Sequence, residues 1–412
     1  MNNKDRLLNE FANLAVEVGV NVQPGQLLVV NAPIAAYELV KMITKRAYEV
    51  GAGKVMINWS DDFSSRLFFE YASDERLVEV PDYVVERMKY IVNENGAVLS
   101  ITSPDPEMYK NIDPKKVAMN SNATAPKLKF YSQHMMASKS QWSIIAYPNE
   151  AWAQKVFPDL SPSEALEKLL EAILYTSRVD ENNSAVENWK QHMENLDGHT
   201  KKLNDYNFKS LHFKNSIGTD LNIELVENHI WAAGGELSSQ GVFFVPNIPT
   251  EETFTMPHNQ GINGTVVSTK PLNVRGKLIP EFKLTFKDGR VVDFEAKEEY
   301  ETLKTLLETD EGSKSLGEVA LVGFDSPISN LNILFYNTLF DENASCHLAL
   351  GNAYSMNIKG GTTMDEEELK KYGYNVSNIH VDFMFGSSDM EIIGTTHDDE
   401  KIAIFRKGNF VI

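Results

Sequence analysis

With 412 residues, 42% of them hydrophobic and 24% charged, the chain has length for two domains and enough apolar mass for packed cores, which argues against disorder. Its formal net charge of −19 argues against a nucleic-acid partner, whose phosphates would be repelled rather than steered in. No run approaches the ~20 consecutive apolar residues of a membrane span, and the single cysteine, Cys346, excludes an internal disulfide framework and suits a reducing cytoplasm.

The opening "MNNKDRLLNEFANLAVEVG" predicts an amphipathic helix, with Leu7, Leu8, Phe11, Leu14, Ala15 and Val18 on one stripe. It lacks the apolar run and cleavage site of a secretory signal. "VQPGQLLVVNAP" is a turn feeding a short strand at Leu27–Val30; "AAYELVKMITKRAYEVGAG" is an amphipathic helix closed by glycine, and "KVMINWS" the next strand. Strand, helix and strand of this length imply a crossover within a parallel sheet. "PDYVVERMKYIVNENGAVLSITSP" repeats the helix-then-strand order. Gly51-Ala-Gly53 is a weak dinucleotide signal, because a third glycine is missing and a strand follows.

In "SPSEALEKLLEAILYTSRV", Ser161 can cap a helix, Pro162 suits its first turn and Glu164 completes a capping box. The polar "DENNSA", 180–185, is the best linker candidate, and "VENWKQHMENLDGHTKKLN" is a further helix. From about residue 207 strands dominate. Hairpins are expected around Gly218-Thr219-Asp220 and, in "EFKLTFKDGRVVDFEA", around Asp288-Gly289. Helices are expected near Glu298–Glu308 and in "TMDEEELKKYG". The reading is an α/β N-terminal domain with a mostly parallel sheet, 1–185, followed by a β-rich α+β domain, 186–412.

Standard catalytic signatures are mostly absent: there is no His-Glu-x-x-His helix, no phosphate loop and no Gly-x-Ser-x-Gly elbow. Cys346 and His347 are adjacent, so on an extended chain they point to opposite faces and make a poor nucleophile–base pair. "NVSNIHVDFMFGSSDMEIIG", 375–394, is more informative. His380 and Asp382 share one face of a strand, while Ile379, Val381 and Phe383 take the other. A hydrogen-bonded pair at a strand end is the structural alternative; an imidazole and a carboxylate are also ligands for a divalent cation.

Three further stretches supply partners. In "FYNTLFDENASCHLALGNAY", Glu342 and His347 flank a turn whose small Ala344 and Ser345 let the backbone approach an ion, and Tyr354 closes the stretch. In "SLGEVALVGF", Glu318 enters a buried apolar run, where a lone charge would be very costly. In "VFFVPNIPTEETFTMPHNQG", Glu251 and Glu252 are consecutive, so only one can face a given site. Each could be an ordinary surface or turn residue. Their joint occurrence at strand ends of one domain favours a metal centre. His258 is either a supporting residue of that centre or a structural one.

At these residues the sequence resembles the aminopeptidase T/aminopeptidase S family of dinuclear-metal aminopeptidases. The matching stretches are "NIPTEETFTMPHNQGINGTVV", "GEVALVG", "LFDENASCHLALGNAY" and "IHVDFMFGSSDMEI", in order and with matching spacing, and the N-terminal "GVNVQPGQLLVVNAP" also fits. The resemblance implies that Glu252, Glu318, Glu342, His347, His380 and Asp382 bind two divalent ions (Zn, Co, or Mg/Mn), with Glu318 bridging. Of the acidic pair it selects Glu252. Catalytic roles would fall to Glu252, Glu318 and Tyr354. Thr253 departs mildly from the larger aliphatic residue expected there. The resemblance further implies that the second domain is the catalytic one, that the subunit forms a homodimer, and that peptides with a free N-terminus are trimmed with broad, hydrophobic-leaning preference. Another dinuclear-metal hydrolase, an amidase or a phosphoesterase, is the alternative, although only Lys270 and Arg275 supply nearby basic charge. A non-catalytic ligand-binding protein is a third reading.

Overall fold

The computed structural model describes residues 3–274 and 277–412, so Arg275 lies outside it. Its contacts divide it into two compact units: Met1–His192 with Gly235–Pro249, and Met193–Gly234 with Thr250–Ile412.

The first unit is built on a parallel sheet with the strand order Lys54–Ser60, Leu27–Pro33, Ala97–Thr102, Trp142–Ala146. Leu27, Leu28, Val29 and Val30 are all buried, as expected for an inner parallel strand covered on both faces. The expected crossover helix is Tyr37–Glu49, which buries Leu39, Val40, Ile43 and Ala47 on one stripe. Helix Asn3–Leu14 likewise buries Leu8, Phe11, Ala12 and Leu14. The capping box of Ser161 and Glu164 opens helix Pro162–Thr176. Gly51 and Gly53 pack against another turn: Gly25 N–H donates to Gly51 O at 2.8 Å, and a Cβ on Gly53 would sit 2.3 Å from Gly25 O. Close backbone approach, not phosphate binding, accounts for that pair.

Residues 235–249, which the sequence reading assigned to the second domain, cluster with the first unit. The cause is backbone pairing, with Gly19, with Ser138 and with strand Trp142–Ala146. Ile144 N–H donates to Pro246 O at 2.7 Å and Ile248 N–H donates to Ile144 O at 3.0 Å.

The second unit carries two antiparallel sheets. The larger has the order Arg290–Ala296, Phe282–Lys287, Pro257–Val267, Asp220–Leu225, Ser210–Lys214, Glu391–Thr395, Lys401–Arg406, Asn409–Phe410. Asp288 (φ 49°) and Gly289 (φ 83°) both take positive φ, as a two-residue hairpin turn requires. The smaller sheet runs His380–Met384, His347–Gly351, Leu316–Leu321, Thr253–Thr255, Ala232–Ala233. Val319, Leu321, Leu348, Leu350 and Phe383 join Phe213, Leu221, Ile223 and Phe405 in one core cluster, which leaves the other face of the smaller sheet for chemistry. The expected helices are Tyr300–Leu307 and Glu366–Lys371. Among the described residues no helix is long and apolar enough to cross a membrane.

Candidate metal centre

Strand register explains how residues far apart in sequence meet. Glu318 pairs with Ala349, which pairs with Asp382; His347 pairs with Ala320, and His380 with Gly351. Directly opposed residues share a face. Glu318, His347, His380 and Asp382 therefore rise from the same face, and each is opposed by alanine or glycine, His347 on one side only since Met384 opposes it on the other. Those small neighbours keep the space above the strands open. Gly351 also needs to be glycine because φ is +109° and a Cβ would lie 2.1 Å from Ile379 O.

The side chains converge. His347 Nε2 lies 3.1 Å from Glu252 Oε2 and 3.5 Å from Glu318 Oε1. His380 Nε2 lies 3.5 Å from Glu318 Oε2 and 3.3 Å from Asp382 Oδ1. Two groups thus have ligand atoms close enough to hold a metal ion, Glu252–Glu318–His347 and Glu318–His380–Asp382, and they share Glu318. Glu252 precedes strand Thr253–Thr255 at the sheet end. Tyr354 packs its ring 4.7 Å from that of His380 and is 37% exposed. Glu342 lines a cavity with His380 and Asp382.

Two observations bear on whether a cation fits. Both imidazoles are oriented through Nδ1: His347 Nδ1 meets Ser345 O at 3.3 Å and His380 Nδ1 meets Asn352 O at 2.7 Å. A carbonyl can only accept, so Nδ1 carries the hydrogen and a neutral ring presents the Nε2 lone pair to carboxylate oxygens. That arrangement is repulsive unless a proton or a metal lies between them, and it is the usual orientation of metal-ligating histidines. Moreover, Asp382 Oδ1 is buried beside His380 Nε2 at 3.3 Å, so with the ring neutral it has no donor, a costly state that a cation would relieve. The residues fit a divalent metal.

The electrostatics agree. Burial first, then Asp382 and Glu252, push the Glu318 carboxyl up to about 7, against the pull of His347. Burial and the charges of Asp382 and Glu252 hold Glu342 well above the carboxylate range. For His380, burial disfavours the charged ring, yet Asp382 and Glu318 raise it to about 9. His347 is likewise raised despite its burial, by Glu252 and Glu318. Desolvation disfavours ionised Asp382, but His380 and His347 keep it below the ordinary range. Partial burial and the neighbouring carboxylates raise the Tyr354 phenol, which stays a neutral O–H donor.

Other candidates fall away. Cys346 is 1% exposed and belongs to the core cluster. Its thiol is pushed up to about 11 by burial and exchanges hydrogen bonds with Val322, so it is no nucleophile. His258 packs where a Cβ on Gly373 would meet its ring at 2.4 Å, and its Nδ1 accepts Gln260 N–H at 3.2 Å, which is a structural role. Thr253 is buried with its hydroxyl 3.3 Å from Thr200 Oγ1, so this departure from an aliphatic residue is internally paired. Sequence reasoning missed Asn343, which is fully buried. Its Oδ1 accepts Glu251 N–H at 2.8 Å, and its Nδ2 donates to Leu339 O at 3.3 Å and Glu342 Oε1 at 3.5 Å. The only sequence signal was an amide beside an acid in "DENAS".

Imidazoles whose Nε2 lone pairs face carboxylate oxygens in a largely buried cluster mark a metal-dependent protein. The chain belongs to the thermophilic metalloprotease (M29) family, whose profile matches residues 4–410. It is 48% identical over 410 residues to aminopeptidase 2 of Geobacillus stearothermophilus, covering 100% of this chain and 99% of that protein. It is 46% identical to aminopeptidase AmpS of Bacillus subtilis (strain 168), covering 100% of both. The solved structure of wild-type AmpT from Thermus thermophilus superimposes with a TM-score of 0.92 at 35% identity, over 99% of each chain.

Proposed function

We propose that this chain is a metallo-aminopeptidase whose second unit holds two divalent cations. Glu252 and His347 would serve one ion, His380 and Asp382 the other, Glu318 both, and Glu342 would complete the set. The observation that carries this reading is the sharing of the buried Glu318 by two ligand groups whose other members are buried or half-buried. Two imidazoles with four carboxylates suit zinc, cobalt, manganese or magnesium. The ions would supply Lewis acidity and a bound water whose pKa falls from ~15.7 towards ~7.

The chain's own residues would do the rest. A carboxylate oxygen of Glu318 or Glu252 takes the attacking water's proton and delivers it to the leaving amine nitrogen. Tyr354 donates its phenolic hydrogen to the carbonyl oxygen as negative charge develops there, an interaction worth ~2.7–4 kcal/mol by comparison with other oxyanion donors. The Asp382 carboxylate, kept ionised by its histidine neighbours, favours the positive α-amine of a free N-terminus. On the strength of the lone buried thiol and of the family resemblance, we also read the protein as a cytoplasmic homodimer.

The test is hydrolysis of aminoacyl anilides and of phosphate esters by the purified chain, before and after chelation and on re-addition of cobalt or zinc. Anilide cleavage that chelation abolishes and metal restores is expected. Cleavage of phosphate esters alone, or activity indifferent to chelation, would overturn the reading.

A further inference from the structure

Beside the ligand groups the second unit holds a cavity of about 210 Å³. Glu342, His380 and Asp382 form part of its lining, and Leu272, Leu278, Leu334 and Tyr336 contribute apolar surface. Leu272 and Leu278 belong to the strands Leu272–Val274 and Lys277–Ile279, which pair antiparallel. Tyr336 lies in the segment before helix Thr338–Asp341.

Tyr336 is unusual in its backbone. Its φ is +56°, a conformation common for glycine or asparagine in turns but rare for a bulky side chain. The Asp341 carboxylate brackets it: Oδ1 accepts Phe335 N–H at 2.8 Å and Oδ2 accepts Asn337 N–H at 2.9 Å. A connection that needed only to turn would be served better by glycine at this position. A strained aromatic held at the wall of a cavity that contains candidate metal ligands is the pattern of a functional constraint.

We propose that this cavity receives the side chain of the substrate's N-terminal residue and has its size limit set by Tyr336 together with Leu278. The inference rests on the aminopeptidase reading above and deepens it. Geometry supports it, because the side chain in question branches one bond from the scissile carbonyl. It must therefore lie within a few ångströms of the groups that surround that carbonyl, and the cavity is continuous with three of them.

The test is a series of alanyl, leucyl and tryptophanyl anilides, cleaved by the wild type, by Tyr336→Ala and by Leu278→Trp, with metal content measured in each. Tyr336→Ala should raise the tryptophanyl-to-alanyl ratio of kcat/KM about tenfold, and Leu278→Trp should lower it about tenfold. The two variants remodel different segments, so misfolding of one leaves the other decisive. Unchanged ratios in variants that are active and metal-loaded would overturn the cavity assignment while leaving the aminopeptidase reading intact. Wild-type protein that binds its metals yet cleaves no anilide would overturn that reading and the assignment with it.

Discussion

Replacing Asn343 by alanine should damage metal binding more than it damages the fold. Asn343 lies between the two acidic segments that supply Glu252 and Glu342, with Oδ1 on Glu251 N–H (2.8 Å) and Nδ2 on Glu342 Oε1 (3.5 Å) and Leu339 O (3.3 Å). Truncation removes the acceptor for one buried backbone donor, a cost of ~1–3 kcal/mol. It also frees the Glu342 carboxylate and the Glu251–Glu252 backbone to drift from their ligand geometry. Loss of such supporting partners weakens metal sites ~10–100-fold, equivalent to ~1.4–2.7 kcal/mol of binding. Asn204→Ala is the control. Asn204 makes two comparable bonds, from Trp231 N at 2.9 Å and to Trp231 O at 3.0 Å, but touches none of the candidate ligands. Apo-protein melting temperatures and chelator competition should show both variants destabilised and only Asn343→Ala weakened for metal. Equal metal affinity in the two variants would refute the reasoning.

Other expectations concern the site and its surroundings. Tyr354→Phe should lower kcat by ~10²–10³ while sparing KM, with metal stoichiometry unchanged; an equal rise in KM and no fall in kcat would remove the oxyanion role. Loading the empty protein with metal at pH 7 should release protons, because His380 titrates near 9 and Glu318 near 7 without it. Calorimetry in buffers of different ionisation enthalpy measures this, and a buffer-independent heat would contradict it. His229, 7% exposed, is held down to about 4 by burial, partly offset by its bond to Val226 O. Between pH 6.5 and 4 the unfolded chain binds the proton that the folded chain refuses, so stability should fall by ~3 kcal/mol as pH drops through that window and stay low beneath it. His229→Phe should flatten that part of the stability–pH curve, and parallel curves for variant and wild type would rule the effect out.

What could be read from the sequence was local. The Ser161–Glu164 box, the Asp288-Gly289 turn and the alternation of His380 and Asp382 with Val381 and Phe383 are written within a few residues, and the structure forms each of them. The return of residues 235–249 to the first unit was not readable, because it depends on long-range backbone bonds, of Ile144 with the 246–248 segment, of Val245 with Gly19 and of Ser239 with Ser138, that no local pattern announces. The site's spacing was hidden for the same reason. Ala349 is an unremarkable alanine until register places it between Glu318 and Asp382. Asn343 and the Asn352 carbonyl act through long-range bonds, so neither carries a motif. Resemblance supplied candidate ligands across four stretches, whereas the physical reason they can share one space came only with the strand ladder.

The central claim is that Glu318 joins two cation sites. Elemental analysis of wild type and Glu318→Ala, each loaded with cobalt and passed through a desalting column, tests it most directly. About two ions per chain in the wild type, with both depleted by the single substitution, is the predicted result. A wild type that retains one ion, or a Glu318→Ala protein that still holds two, would contradict it.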